Sequence, residues 1–182
     1  MQHRFRHLFS AAALGIALAH GGPAATQTAD DGPDTLVESY RDWVVRCSAA
    51  EAEGANGTRQ CEMAQEIRQR GEGGRRVLSM AVQRGTDDAA QMTLLGPFGV
   101  RLSEGLSLRI DDAEAPQVRI GFLTCVPDGC IAAAPLPPEL AAALRGGSTL
   151  EAEMMALNGE TVRIGLSLMG FTAAWNRLGA LR

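Results

Sequence analysis

Histidine is almost missing from this sequence. Its three histidines are His3, His7 and His20, and all of them lie within the first 25 residues. If that segment is removed as a leader, no imidazole is left in the mature chain. This excludes Ser-His-Asp and Cys-His nucleophilic sites, and it excludes zinc or copper sites with histidine ligands. Chemistry that uses carboxylates alone stays open.

Lysine is missing altogether, so all 17 basic residues are arginine. Without Arg4 and Arg6 of the leader, 15 arginines stand against 21 acidic residues, which gives the mature chain a net charge of about −6. The arginines are scattered along the chain and form no basic stripe. Proteins that bind nucleic acid concentrate positive charge on one face, so we expect no nucleic-acid partner.

A hydrophobic run long enough to span a membrane is also missing. The apolar run Leu8–Leu18 falls short of the roughly 18 residues that a membrane-spanning helix needs. It follows two arginines and precedes small residues, which is typical of a secretory signal peptide, here over residues 1–25. Ala17–Ala19 and Pro23–Ala25 are candidate cleavage sites, and an uncleaved anchor is the alternative. We therefore expect a periplasmic, secreted or outer-surface protein without a stable membrane span after cleavage.

Four cysteines behind a signal peptide indicate two disulfides. Among the three possible pairings we favour the local pairs Cys47–Cys61 and Cys125–Cys130. The segment Pro127–Gly129 favours a tight turn that brings the second pair face to face. In the chain-entropy model, closing the 15-residue loop of the first pair contributes about 3 kcal/mol. A four-cysteine zinc site and a redox pair are the alternatives, although neither pair has the Cys-x-x-Cys spacing of thiol oxidoreductases.

Beyond the leader, the length predicts one domain, with a flexible lead-in over 26–37 and a β-rich body over 38–182. Short apolar segments recur there between Gly, Pro, Asn and Asp turns. Trp43, in the first of these segments, is expected in the core. The predicted strands cover residues 38–47, 61–70, 75–84, 91–95, 106–110, 117–124, 148–157 and 161–168.

Two helices are predicted near the end of the chain. Glu139–Arg145 lies between Pro138 and a Gly-Gly pair, which is the usual asymmetry of helix ends. Gly170–Leu181 carries apolar residues at helical spacing, and a final strand with an irregular segment is its alternative. Strands at regular spacing with one or two short helices predict an all-β sandwich.

The sequence has few clusters of side chains that could bind a metal ion or catalyse a reaction. Asp111, Asp112 and Glu114 offer carboxylates for Ca²⁺, but the loop pattern of a calcium site is missing and a solvated turn is the favoured interpretation. Ser103 and Ser167 have no histidine partner. The methionines are spread over different strands, which indicates core filling and not copper binding. We predict no catalytic, cofactor-binding or metal-binding residues.

Five motifs, taken in order and spacing, resemble the invasion-associated locus B family of secreted and periplasmic bacterial proteins. They are Asp42-Trp43-x-x-x-Cys47; Cys61-Glu62-Met63-x-Gln65; Pro97-x-Gly99-Val100-x-Leu102 ahead of Leu108-x-Ile110-Asp111; Phe122-x-x-Cys125-x-x-x-Gly129-Cys130; and Leu166-Ser167-Leu168-x-Gly170-Phe171-x-x-Ala174. The resemblance implies an immunoglobulin-like β-sandwich and an envelope or secreted location. In pathogenic relatives it implies a part in entering host cells. The resemblance implies no catalytic residues.

The leading hypothesis is a non-enzymatic protein-binding or accessory module of the envelope, whose partner is an unknown envelope or host protein. Exposed loops and edge strands are natural contact surfaces, here the Ser48–Gln60 loop and the Val126–Gly129 turn. A structural or stress-related periplasmic protein without a specific ligand is the alternative. A hydrolase that uses only carboxylates is a third, weaker hypothesis.

Overall fold

The computed structural model describes residues 35–48, 59–71, 74–85, 87 and 89–181. The predicted signal peptide, residues 26–34 of the lead-in and residues 49–58 of the candidate contact loop lie outside these described residues. All of the described residues belong to the compact unit that begins at Gly32.

The described residues form eleven strands and two helices, with a short 3-10 turn at Leu102–Glu104. The strands are β1 (Thr35–Tyr40), β2 (Trp43–Ser48), β3 (Gln60–Arg68), β4 (Arg76–Arg84), β5 (Ala90–Gly96), β6 (Leu106–Ile110), β7 (Val118–Ile120), β8 (Phe122–Val126), β9 (Gly129–Pro135), β10 (Thr149–Met155) and β11 (Thr161–Ser167). The helices are α1 (Pro138–Gly146) and α2 (Phe171–Ala180).

The strands form two antiparallel sheets around one core. The larger sheet has the order β1-β2-β3-β4-β5-β9-β8, and the smaller has the order β11-β10-β6-β7. Buried side chains from both sheets belong to a single apolar cluster, for example Met80 and Leu94 of the larger sheet with Leu108 and Leu150 of the smaller. The predicted all-β sandwich with one or two short helices is confirmed.

Two predicted strands are each divided in the structure. The predicted strand 38–47 is two antiparallel strands, because the chain reverses at Arg41–Asp42 and Tyr40 pairs with Trp43. Arg41 takes a left-handed φ of 56°, and no glycine, proline or asparagine marks that turn in the sequence. Residues 35–37, predicted as lead-in, belong to β1.

The predicted strand 117–124 is divided at Gly121. Its first part, β7, pairs with β6 in the smaller sheet, and its second part, β8, pairs with β9 in the larger sheet. The chain thus changes sheets at a glycine, as strands do at sandwich corners. Hydrophobic periodicity does not reveal this corner, because both parts carry apolar residues.

The terminal helix is confirmed, and the alternative of a final strand is wrong. Phe171, Ala174 and Leu178 lie on the buried side of α2. The Trp43 ring stands edge-on to Phe171 at a centroid distance of 5.0 Å, and its Nε1 donates to the Ser167 carbonyl at 2.9 Å. Trp43 is completely buried, as predicted for a core residue. The helix packs against β1, β2, β3 and β4 and closes the core at that end of the larger sheet.

Both predicted disulfides are present. Cys47 and Cys61 occupy directly paired positions of β2 and β3, with their Cα atoms 4.1 Å apart. Cys125 and Cys130 occupy paired positions of β8 and β9, with Cα atoms 3.9 Å apart. Each disulfide therefore joins neighbouring strands of the larger sheet, and the two lie toward its opposite edges.

Candidate functional site

The acidic turn after β6 has a structural role. Asp111 Oδ1 accepts hydrogen bonds from the backbone nitrogens of Ser148 and Thr149, both at 2.9 Å. Asp112 and Glu114 lie on the surface. This arrangement ties the turn to the start of β10, and within the described part of the chain no three His, Cys, Asp or Glu side chains are grouped to hold a metal ion.

The two candidate serines also lie in local structure. Ser103 is exposed on the 3-10 turn, and the Ser167 hydroxyl accepts a hydrogen bond from the Met169 backbone nitrogen at 3.1 Å. Four methionines are buried in the core, which agrees with the predicted filling role: Met63, Met80, Met92 and Met154.

Gln65 is a buried polar residue to which sequence reasoning assigned no role. Its Nε2 donates to the carbonyls of Asp42 and Ser167, and its Oε1 accepts from the Ser167 nitrogen, all at 3.0 Å. These bonds satisfy the buried amide and join the β1–β2 turn to the end of β11. The only sequence signal was its place in a family motif, which does not reveal its partners.

One edge of the larger sheet is exposed and rigidly shaped. Strand β8 forms this edge, and all its residues except the half-buried Phe122 are exposed. The register shifts between Phe122 and Thr124, so Leu123 sits in a bulge and its side chain is 69% exposed. Bulges re-aim side chains and recur beside functional sites. We call β8 with the turn Val126–Gly129 the clipped edge.

Three contacts hold the turn of the clipped edge. The Cys125–Cys130 disulfide closes it, and Gly129 has a φ of 145° at a place where a Cβ atom would collide with the Gly96 carbonyl oxygen. Arg76 Nη2 donates to the Asp128 carbonyl at 2.9 Å and lies 3.7 Å from its carboxylate. The turn is thus fixed to both β5 and β4.

The opposite edge, β1, is fastened to α2, and we call it the covered edge. Arg177 donates to the two carboxylate oxygens of Glu38 at 2.7 and 2.8 Å, and the Tyr40 hydroxyl donates to the same carboxylate at 2.8 Å. These hydrogen bonds, from Arg177 first, hold the pKa of Glu38 below its ordinary value, whereas the bond to Glu38 raises the pKa of Tyr40. Val37 on this edge is nevertheless 70% exposed.

Other exposed apolar side chains lie in connections between strands. Phe98 and Leu102 are in the β5–β6 connection, and Leu157 follows β10. A bridge between Val100 and Ala156 brings these connections together. These connections are loops and not edge strands. They expose apolar side chains, but they do not present the row of backbone N–H and C=O groups that an edge strand presents.

Of the two predicted contact surfaces, the structure describes the Val126–Gly129 turn in full and places it at an exposed sheet edge. The larger part of the Ser48–Gln60 loop lies outside the described residues. Sequence reasoning missed Leu123, because it lay inside the undivided strand 117–124. The signal was the run Phe122-Leu123-Thr124, in which apolar residues stop alternating. Searched over the described residues, the chain contains no helix long and apolar enough to cross a membrane.

The comparisons with known proteins agree with one another. The family described as "Invasion associated locus B (IalB) protein" matches residues 43–179. A Brucella abortus (strain 2308) protein named Invasion protein B homolog is 36% identical over 151 residues, covering 82% of this chain and 83% of that protein. Invasion protein B of Bartonella bacilliformis is 30% identical over 168 residues, covering 88% and 86%.

A solved structure extends the likeness from sequence to fold. The crystal structure of invasion associated protein b from Bartonella henselae superposes with a TM-score of 0.71 at 31% identity. The match covers 80% of this chain and 96% of that chain. The family match includes both disulfides, the clipped edge and nearly all of α2. This chain therefore belongs to the invasion-associated locus B family.

Proposed function

We propose that this protein is a non-enzymatic binding module of the bacterial envelope or of the secreted fraction, which assists contact with host cells where its bacterium is a pathogen. The names of its Brucella and Bartonella relatives support the link to invasion. Two disulfides support a location outside the cytoplasm, because such bonds persist in oxidising compartments.

The observation that carries the proposal is the clipped edge. An edge strand presents backbone N–H and C=O groups that can pair with another chain, and proteins usually protect such edges by short length, bulges, charge or cover. Strand β8 is short and bulged, yet four of its five residues are exposed. Here β8 carries an exposed leucine, held outward in a bulge. Its described residues include no charged side chain, since the strand reads Phe-Leu-Thr-Cys-Val.

The fixed backbone of the clipped edge favours specific binding of a partner. The disulfide, the Gly129 turn and the contact of Arg76 with Asp128 all fix the backbone that carries Leu123. A surface that is already in its binding geometry loses little conformational entropy when a partner docks. We therefore place the contact with the partner at Leu123 and Val126, with pairing along the short regular stretch Thr124–Val126.

A matched pair of variants tests the proposal in the native bacterium. A deletion strain is complemented with wild type, with Leu123→Lys on the clipped edge, or with Val37→Lys on the covered edge. The two side chains are 69% and 70% exposed, so both substitutions leave the core untouched and differ only in the edge they alter. We expect Leu123→Lys to leave host-cell entry at the level of the deletion strain, and Val37→Lys to restore it.

Two results would oppose the proposal. Full restoration of entry by Leu123→Lys would remove the clipped edge from the function. A deletion strain that enters host cells normally but has a leaky envelope would support a structural role without a specific ligand. Protein levels of each variant are measured by immunoblot, so that loss of folding is separated from loss of contact.

The location is tested on intact cells. We expect antibody to label the protein without rupture of the outer membrane, beside a periplasmic control protein that stays unlabelled. Labelling that needs permeabilised cells would place the partner inside the envelope and make any effect on host cells indirect.

A further inference from the structure

The smaller sheet also ends in an exposed strand, β11, which differs from β8. Its seven residues pair with β10 in an unbroken register, whereas β8 has five residues and a bulge. Among the described strands, none lies on the other side of β11. A long and regular edge strand is a template for pairing with another chain, and β11 carries neither a proline nor a bulge to prevent it. We call β11 the regular edge.

The backbone of the regular edge points outward at Arg163 and Gly165. The N–H of Ser167 donates to Gln65 Oε1, and its carbonyl accepts from Trp43 Nε1, so both groups are used away from β10. In an antiparallel pair, alternate residues of a strand bond to the same neighbour. Gly165 and Arg163 therefore also turn their N–H and C=O groups away from β10, and the described part of the chain offers these groups no backbone partner.

Gly165 is a residue that the fold of one chain does not require. A Cβ atom there would lie 3.9 Å from the Thr149 side chain, which is an ordinary van der Waals contact, and the φ of Gly165 is not in the left-handed region. Glycine weakens the interior of a strand, where it often marks the close approach of another backbone. The glycine therefore points to a neighbour that approaches this edge.

Opposite charges lie beside Gly165 on the solvent side of the sheet. Glu151 is paired directly with Gly165, and Glu153 is paired with Arg163. Arg163 Nε lies 2.8 Å from Glu153 Oε2 and 3.7 Å from Glu151 Oε1. The regular edge thus has a basic side chain at one position and, two residues further on, a gap with an acidic side chain behind it.

We propose that the protein forms a symmetric dimer in which the regular edges of two copies pair antiparallel, with Ile164 opposite Ile164 of the second copy. In this register Arg163 and Gly165 lie opposite each other twice, and their outward backbone groups exchange hydrogen bonds in both pairs. Pairing also covers Val162 and Ile164, which are half-buried. The two smaller sheets become one continuous sheet around a twofold axis, the commonest symmetry of homo-oligomers.

The neighbouring registers are less favourable. A register centred on Arg163 sets two arginines directly opposite each other, and like charges in that position are destabilising. A register centred on Gly165 pairs Arg163 with Ser167, whose backbone groups are already bonded within the chain. A register centred on Val162 shifts Gly165 out of the paired strand and opposite the turn at Gly159.

Charge complementarity supports the proposed register. The guanidinium of Arg163 passes over Gly165 of the second copy and approaches Glu151 of that copy, because no side chain stands between them. The same contact forms a second time through the twofold axis. An arginine, a glycine and a glutamate of each copy therefore complement the same three residues of the other.

This dimer is independent of the proposed contact at the clipped edge. The clipped edge belongs to the larger sheet, so pairing of the two regular edges leaves β8 uncovered. Loss of the dimer and loss of the contact at Leu123 are therefore separate results.

Analytical ultracentrifugation of the mature protein over a hundredfold range of concentration measures the association. We expect a monomer–dimer equilibrium that is weak, because the paired surface is small. Gly165→Arg should weaken the dimer at least tenfold, since it fills the gap and sets like charges opposite each other. Gly121→Arg is the matched control and should dimerise as wild type. It adds the same charge at an exposed glycine with open space, next to β7 at the opposite edge of this sheet.

Thermal unfolding confirms that each variant is folded. A wild-type protein that stays monomeric at every concentration would overturn the proposal, and that result is also expected if another part of the same chain covers the regular edge. Unchanged association of a folded Gly165→Arg protein would overturn it as well.

Single cysteines test the register and keep the proposal open to refutation if Gly165→Arg fails to fold. Ile164→Cys places each new thiol opposite its own copy, so mild oxidation should link two chains. Val162→Cys is the matched control, because it is half-buried on the same face but lies opposite Leu166 of the second copy. Non-reducing gels and peptide mass spectrometry identify the link. Equal crosslinking at both positions, or none at position 164, would contradict the proposed dimer.

Discussion

The two edges of the larger sheet have the same kind of covalent clip but different surroundings. Near the covered edge, the Cys47–Cys61 disulfide lies beside α2, and Cys47 is buried. At the clipped edge, Cys130 is buried as well, but Cys125 is exposed, whereas Cys61 of the first pair is half-buried, and the disulfide closes a turn on the surface. The first clip secures part of the core, whereas the second fixes the shape of an exposed strand. The presence of a disulfide therefore does not by itself distinguish a strand that packs on the core from an exposed edge strand.

The largest effect is expected where α2 closes the core beside the covered edge. Phe171→Ala should lower the free energy of unfolding by about 3–5 kcal/mol, because it leaves a cavity against the completely buried Trp43. Denaturant unfolding measures this loss. Leu157→Ala, at a side chain that is 68% exposed, is the control and should change stability by less than about 0.5 kcal/mol. Similar losses for both variants would mean that α2 does not close the core.

The next largest effect is expected from removal of the disulfides, and the two should differ in the stability that is lost. Replacing Cys47 and Cys61 by serine opens a 15-residue loop and should cost about 3 kcal/mol, whereas replacing Cys125 and Cys130 opens a shorter loop and should cost about 2 kcal/mol. Thermal unfolding without reductant ranks the two double variants. A larger loss at the clipped edge than beside the covered edge would contradict the division of roles between the clips.

A smaller effect should follow from the turn of the clipped edge. Gly129→Ala forces a side chain into a φ of 145° and against the Gly96 carbonyl, which should cost about 1–3 kcal/mol. Gly121→Ala is the matched control, because a Cβ atom there meets open space, and it should stay within about 0.5 kcal/mol. Equal changes in stability for the two variants would mean that the turn adapts to a side chain at position 129.

The smallest effect should be a pH dependence at the covered edge. The folded-state pKa of Glu38 is lowered from 4.5, chiefly by its hydrogen bond with Arg177. A lowered pKa in the folded state contributes stability above the unfolded-state pKa, and this contribution is lost as pH falls through the folded-state value. Glu38→Gln should therefore be less stable than wild type at pH 7, and this difference should shrink below about pH 4.5.

Melting temperatures of wild type and Glu38→Gln between pH 7 and pH 3 check this sign. Arg177→Gln removes the other partner of the Glu38–Arg177 ion pair. Its melting temperature should also approach that of wild type as the pH falls. A difference that stays constant over the whole range would mean that the ion pair contributes nothing to stability.

Local features of the fold could be predicted from the sequence. Both disulfide pairs, the helix at Phe171–Ala180 and the hairpin around Asn158-Gly159 depend on neighbours in sequence, where turn residues and helical spacing are decisive. The fold class followed from the recurrence of short strands. These features needed no knowledge of which strands meet in space.

Features that depend on distant partners could not be predicted. The turn at Arg41 has no sequence mark, and it is supported by the bond of Gln65 to the Asp42 carbonyl, which comes from another strand. The change of sheet at Gly121 decides that Leu123 faces outward, and it depends on pairing with β6 and β9.

The most direct test of the central claim is site-specific photo-crosslinking in living cells. A photoreactive amino acid replaces Leu123 on the clipped edge or, as the control, Val37 on the covered edge, and adducts are detected by immunoblot in the presence of host cells. The account predicts a discrete adduct from position 123, which disappears when Cys125 and Cys130 are serine, and none from position 37. Equal adducts from both positions, or an adduct from position 37 alone, would contradict it.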